Sequence, residues 1–141
     1  MKIILIMGLP GSGKTTLASK LYSLINAKWI NADKVRREAN DWDFTKEGRI
    51  RQSERMRKLA LKFKNEKNNV IVDFVCPTNE TRKIFGPDFI IWMDTIKKGR
   101  FDDTNKLFEK PEFYNVRVTE KNSDLWAKKI IKILNLNNEK K

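Results

Sequence analysis

The sequence predicts an α/β fold built on a mostly parallel sheet. Two observations carry that prediction. Three nearly continuous apolar runs, Ile3-Ile4-Leu5-Ile6-Met7, Val70-Ile71-Val72-Asp73-Phe74-Val75 and Phe89-Ile90-Ile91-Trp92-Met93, read as strands buried on both faces. Stretches with helical periodicity separate them, so strands alternate with helices, the pattern of a three-layer sandwich.

Taken in order, residues 2–7 read as the first strand and 14–26 as the first helix, with Leu17, Ala18, Leu21 and Leu24 on one face. Ala27 to Ile30 is a short second strand. Asn31 to Arg37 is a loop entering a helical turn, and Asp41 to Phe44 is a connector. From Lys46 to about Glu66 the chain is strongly helical, with Met56, Leu59, Ala60 and Phe63 as its apolar stripe. After the strand at 70–75, Thr78 caps a short helix ending at Ile84 or Phe85, and Gly86-Pro87 breaks it. The strand at 89–93 leads into a polar, irregular stretch from Lys97 to Pro111, read as a loop or reduced lid. Tyr114 to Val118 is a last strand. Asn122 or Ser123 caps the final helix, which turns Leu125, Trp126, Ile130, Ile133 and Leu134 inward. The expected organisation is a single domain over 1–136 and a flexible basic tail at 137–141.

The chain has 141 residues and a net charge of +12, from 30 Lys and Arg against 18 Asp and Glu. Such a surface favours anionic partners, whether a nucleotide-type molecule or nucleic acid. Cys76 is the single cysteine, which excludes an intramolecular disulfide. The apolar runs are far too short to cross a bilayer, and the chain opens directly in a strand rather than a leader-like segment. A soluble protein of a reducing, cytoplasmic setting is expected. The absence of histidine leaves carboxylates and lysines as the available general bases.

Between the first strand and the first helix stands Gly8-Leu9-Pro10-Gly11-Ser12-Gly13-Lys14-Thr15, which fits G-x-x-x-x-G-K-[ST], the Walker A or P-loop pattern. Glycines let the backbone turn its N–H groups inward, and the helix beginning there adds partial positive charge. Gly8, Gly11, Ser12, Gly13, Lys14, Thr15 and Thr16 are therefore the expected nucleotide-binding set. In that set Lys14 reaches the β- and γ-phosphates and Thr15 binds Mg²⁺. The fold class is then a three-layer P-loop NTPase/kinase fold with a mostly parallel sheet, with ATP or GTP and Mg²⁺ as the implied ligands.

The acceptor side offers several candidates. Asp33 follows the second strand and should emerge beside the loop, as a base, a metal-organising carboxylate, or a helix cap in a surface ion pair. Arg36 shares its face three residues on. Asp73 is either a Walker B-like metal contact or a buried carboxylate held by hydrogen bonds. Arg49, Gln52 and Arg55 line one side of a helix, to clamp an anion or to face solvent. Phe44 and Phe101 stand in polar connectors and can stack on a base or anchor their loops.

These residues resemble the adenylylsulfate kinases, P-loop enzymes that phosphorylate the 3′-hydroxyl of adenosine 5′-phosphosulfate with MgATP. Asn31-Ala32-Asp33-Lys34-Val35-Arg36 is similar to that family's D-G-D-N-V-R. Phe44-Thr45-Lys46-Glu47-Gly48-Arg49, with Gln52 and Arg55, is similar to its G-F-S-x-x-D-R-x-E-N-I-R-R, and Phe74-Val75-Cys76-Pro77 with Arg82 to its F-I-S-P-x-R-x-x-R. The resemblance implies Asp33 as base or Mg²⁺-organising carboxylate. It implies Arg36, Arg49 and Gln52 as ligands of the phosphosulfate, Phe44 and Phe101 around its adenine, and Cys76 and Pro77 in its pocket by backbone contact. It implies a role in sulfate assimilation and a homodimer. The departures are Asn31, Ala32, Gly48, Gln52, Asn79 and Asp73, and a lid shortened to Lys97, Lys98 and Arg100. Two other readings stand beside it: a polynucleotide 5′-hydroxyl kinase, and a nucleotide-binding protein that transfers no phosphate.

Overall fold

A computed structural model describes residues 1–99 and 101–135; Arg100 and the expected tail at 137–141 lie outside the described residues. The elements run β1 (Ile3–Gly8), α1 (Lys14–Leu24), β2 (Ala27–Asn31), α2 (Ala32–Ala39), α3 (Lys46–Asn65) and β3 (Asn69–Asp73). They continue with α4 (Asn79–Phe85), β4 (Phe89–Met93), α5 (Asp102–Leu107), β5 (Val116–Val118) and α6 (Ser123–Leu134). The strands form one sheet in the order β2-β3-β1-β4-β5, with every neighbouring pair parallel.

The alternation of side chains along β1 builds the two faces. Ile4 and Ile6 point to the layer of α1 and α6, where they meet Leu17, Leu21, Ala127 and Ile130. Ile3, Leu5 and Met7 point the other way, to Met56 and Ala60 of α3 and Phe85 of α4. All six residues of β1 are buried, as a central parallel strand must be when helices cover both faces. β1 lies between β3 and β4, and the chain fills β2 and β3 on one side of it before crossing to β4 and β5 on the other. That reversal opens a crevice at the carboxyl ends of the strands, where α/β proteins take their ligands.

The structure redraws several boundaries. β3 ends at Asp73 instead of running on to Val75, so the carboxylate sits at the strand's exit and not inside it. The chain then turns sharply, with Cys76 at φ 46°. No loop separates β2 from α2: Asn31 is extended (φ −102°, ψ 126°) and accepts a hydrogen bond from the backbone N–H of Lys34, so the strand's last residue is the helix's cap. α1 stops at Leu24 and β5 covers only Val116–Val118. Within the stretch read as irregular, Asp102–Leu107 forms α5. Its cap position, Phe101, supplies no side-chain capping hydrogen bond, but Asp102 and Asp103 complement the positive end of the helix. On α6 the buried stripe is Ala127, Ile130 and Leu134, while Leu125 (40% exposed) and Ile133 (53%) face outward. The helix lies along the sheet's β4–β5 side against α1, and that contact covers a narrower stripe than its apolar composition suggests.

Phe85 is the largest of the fully buried side chains and meets the Phe74 ring edge-on, with centroids 5.9 Å apart. Phe85→Ala should lower unfolding stability by about 3–5 kcal/mol in urea denaturation, since the packed cluster cannot close the cavity. A loss under about 1 kcal/mol would show that this layer repacks freely.

Candidate active site

The loop between β1 and α1 is fixed from several directions. A Cβ on Gly8 would lie 2.8 Å from the carbonyl oxygen of Met93, so only glycine lets β1 and β4 run this close. Gly13, the residue before α1, has φ 100°, a conformation that side chains resist. The first turn of α1 carries no acidic residue, so nothing there competes with an anion for its N–H groups. Lys14 Nζ donates to the carbonyl oxygen of Leu9 at 3.0 Å, which lays the ammonium across the loop. Thr95, just past β4, donates its hydroxyl to the carbonyl oxygen of Ser12 at 2.6 Å. Sequence reasoning missed Thr95, and its one signal was a polar residue directly after an apolar strand.

Asp73 is 3% exposed and lies beside this loop. Thr15 Oγ1 donates to its Oδ1 at 3.3 Å, Asn31 Nδ2 to the same oxygen at 2.7 Å, and Trp29 Nε1 to its Oδ2 at 2.6 Å. Burial pushes the carboxyl's pKa up, opposed by these donors and by the charge of Lys14. Of the residues expected to hold metal, Thr15 and Asp73 are thus brought together, while Asp33 stands exposed in the first turn of α2. Asp33 does not cap that helix; Asn31 does. Among the described residues no group of three or more His, Cys, Asp and Glu side chains gathers to hold a metal. A hard cation here would rest on hydroxyl and carboxylate oxygens together with the phosphates themselves, a donor set that suits Mg²⁺.

Arg36, on α2, is 5% exposed. Its Nη1 donates to the carbonyl oxygens of Asp41 (2.9 Å) and Asp43 (3.3 Å), and its guanidinium lies 4.4 Å from the Phe44 ring centroid. Burial is the main force lowering its pKa. Arg49 donates from Nε to the carbonyl oxygen of Phe44 at 2.9 Å and lies 5.7 Å from the same ring. Burial lowers it too, with Asp103 of α5 acting in opposition. The Phe44 ring remains 53% exposed. Two cations and an open aromatic surface therefore share one wall.

The 41–45 loop beside that wall is tied by Arg51, which the sequence reading left unassigned, and by Arg55, which it placed on an anion clamp. Arg51 donates to Asp41 at 2.8 Å and to Asp43 at 3.0 Å, and Arg55 donates to Asp41 at 2.7 Å. These bonds hold the Asp41 carboxyl far below the usual range. Gln52 is fully buried: its amide donates to the carbonyl oxygen of Ala32 at 3.2 Å and accepts from Arg55 at 2.6 Å. Of the three residues expected along one side of α3, only Arg49 reaches the Phe44 wall, while Gln52 and Arg55 brace α2 and the loop. A pair of acids two apart, followed by arginines at i and i+4, was the available signal.

Cys76 and Pro77 are buried, and their carbonyl oxygens are already engaged, by Arg82 Nε at 2.9 Å and by the backbone N–H of Glu109 at 2.8 Å. Burial pushes the Cys76 thiol up to about 12, which leaves it chemically quiet. Phe101 is 54% exposed where α5 begins. The shortened lid rests on the P-loop: Gly99 and Asn105 exchange hydrogen bonds of 2.7 and 2.9 Å, and a Cβ on Gly99 would lie 3.0 Å from the Pro10 carbonyl oxygen. Lys97 and Lys98 are exposed beside it. On the other flank of the P-loop a cavity of about 80 Å³ is lined by Gly13, Thr16, Val118, Lys121 and Trp126. The buried indole N–H of Trp126 has no partner among the described residues.

This sheet order and this loop define a protein with the P-loop kinase fold, the architecture of ATP-dependent kinases. A family model described as AAA domain matches residues 3–85, more than half of the chain. The chain belongs to that AAA-domain family. None of the curated proteins matches it in sequence. Among solved structures, the APS kinase CysC of Mycobacterium tuberculosis in complex with AMPPNP and APS is 21% identical, with a TM-score of 0.79 over 95% of this chain and 97% of that one. A sugar kinase from a Janibacter species is 15% identical, with a TM-score of 0.79 over 97% and 96%. The shikimate kinase of Acinetobacter baumannii, in complex with shikimate, is 17% identical, with a TM-score of 0.57 over 98% and 95%. At these identities the likeness is one of fold.

Gly48 packs so closely under the loop that a Cβ would collide with the Asp43 backbone and side chain. Gly48→Ala should displace the 41–45 loop and weaken binding of the acceptor several-fold, with ATP affinity unchanged. Calorimetry with each ligand separates the effects, and an equal loss of both would mean that the loop serves the whole fold.

Proposed function

We propose that this chain is a MgATP-dependent phosphotransferase that phosphorylates the 3′-hydroxyl of adenosine 5′-phosphosulfate. The observation that carries this reading is the Arg36–Phe44–Arg49 wall. A nearly buried guanidinium bonded to carbonyl oxygens retains donors for an oxyanion, and the exposed ring beside it suits a planar base. An acceptor that is both aromatic and anionic uses both features. The sequence resemblance to the adenylylsulfate kinases supports the same acceptor.

In this reading Gly8, Gly11, Ser12, Gly13 and Thr16 cradle the phosphates of ATP, and the cavity beside Trp126 takes its base. Lys14 leaves Leu9 and turns to the terminal phosphates. Thr15 and Asp73 would hold Mg²⁺, which neutralises charge that develops on the transferred group. Asp33 orients the acceptor hydroxyl and receives its proton, while Arg36 and Arg49 hold the acceptor's anionic end. Phe44 and Phe101 flank the acceptor's base. Gln52, Cys76 and Pro77 act behind them, keeping α2, α3 and the lid's return segment in register. Catalysis is then positioning and charge neutralisation. We place the protein in the cytoplasm and in sulfate assimilation, as a homodimer; among the described residues no helix is long and apolar enough to cross a membrane.

The test is ADP release from MgATP with adenosine 5′-phosphosulfate, with a 5′-hydroxyl oligonucleotide, and with no acceptor. Stimulation by the phosphosulfate alone is expected. Stimulation by the oligonucleotide alone, with affinity falling steeply in salt, would replace this reading with a polynucleotide kinase and give the +12 net charge its partner. ATP binding without stimulation by either would make the protein a nucleotide binder with no transfer to these acceptors.

A further inference from the structure

The proposed function uses Asp73 but leaves two of its partners unexplained. Trp29 and Asn31 are two residues apart on β2, so both side chains leave the same face of the sheet. In register, Asn31 is paired with Asp73 and Trp29 with Ile71, which places both beside the exit of β3. Their donors approach different oxygens of the carboxylate: Asn31 Nδ2 bonds Oδ1 at 2.7 Å and Trp29 Nε1 bonds Oδ2 at 2.6 Å. A carboxylate held at both oxygens cannot rotate. Its orientation is then set so that Oδ1 also meets the Thr15 hydroxyl, at 3.3 Å.

Both donors are themselves fixed. The Asn31 Oδ1 accepts the Lys34 backbone N–H at 2.9 Å, so the amide cannot turn without uncapping α2. The Trp29 ring packs against Tyr22 of α1 with centroids 5.8 Å apart. A carboxylate accepts about four hydrogen bonds. With Trp29, Asn31 and Thr15 placed, one site remains for a metal-bound water or the metal itself. Ordinary core chemistry does not call for an indole and an amide on one buried acid at the mouth of a phosphate loop. Outer partners that orient a metal's oxygen donors do.

We propose that Trp29 and Asn31 are positioning residues that hold Asp73 in the orientation required by the nucleotide's Mg²⁺. The proposal rests on the MgATP reading above. Asn31 has a second consequence: it joins the metal side of the crevice to the N-terminus of α2, the helix that carries Asp33 and Arg36. A displacement of Asp73 is therefore transmitted to the acceptor side through one amide.

The experiment measures AMPPNP affinity by calorimetry in EDTA and again in saturating magnesium. The ratio of the two constants isolates the metal's share of binding. Trp29→Phe keeps the ring and removes the N–H. Asn31→Ser keeps a capping oxygen but is too short to reach Asp73. Each variant should lose about tenfold of the magnesium-dependent tightening while its affinity in EDTA stays at the wild-type value. If one variant fails to fold by circular dichroism, the other decides the matter. A wild-type ratio in the folded variants would overturn the proposal, as would an equal loss in EDTA, which would make these residues general supports of the loop. If the wild-type protein binds AMPPNP but shows no magnesium dependence, the MgATP reading itself falls. Loss confined to the variants' magnesium ratio cannot be confused with that outcome.

Discussion

The structure depends on a carboxylate that three elements must share. Asp73 lies nearly out of contact with solvent, and its desolvation has to be offset where it stands. The hydroxyl comes from the start of α1, and the amide and the indole come from β2. The parallel register of β2 with β3 and of β3 with β1 is what allows all of them to arrive. Because a buried acid left without donors is expensive, that register and the seat of the P-loop support each other. The apolar layers supply most of the stability, but they would tolerate small slides that this junction does not.

The acceptor side is built on the opposite principle. There the acids of the 41–45 loop are tied up by arginines. Asp41 gathers Arg51 and Arg55, while Arg36 and Arg49 are held by carbonyl oxygens and by the Phe44 ring. Carbonyl oxygens and an aromatic face thus hold the Arg36 and Arg49 guanidinium groups. The depressed Asp41 carboxyl fixes the acid response of this clasp. Its support is complete above the ordinary value of 3.8 and fades as pH falls below that toward its folded value.

What could be read from the sequence followed from how local each signal was. The P-loop is a contiguous pattern, and β1 and β4 are unbroken apolar runs, so their places were evident. The Thr78 cap and the Asn122 cap were legible because the capped N–H lies three residues away. Asp73 was recognised only as one of two alternatives, since its donors come from up to 58 residues away in the chain. Trp29 was invisible for the same reason. Gln52 looked like a ligand because its spacing from Arg49 is helical, and spacing cannot show that its amide faces Ala32 rather than the crevice. Leu125 and Ile133 were expected inside on hydropathy alone, but the α1 contact covers only one narrow side of α6.

In the proposed reaction the P-loop and the Arg36–Phe44–Arg49 wall act together, with Asp33 as the base. The most direct measurement is ³¹P NMR of the products formed from MgATP and adenosine 5′-phosphosulfate. ADP is expected together with a new phosphomonoester resonance coupled to the ribose 3′ proton, and no build-up of inorganic phosphate. Inorganic phosphate as the sole new signal would contradict the proposed reaction, because the terminal phosphate would then pass to water and the wall would have no part in the chemistry.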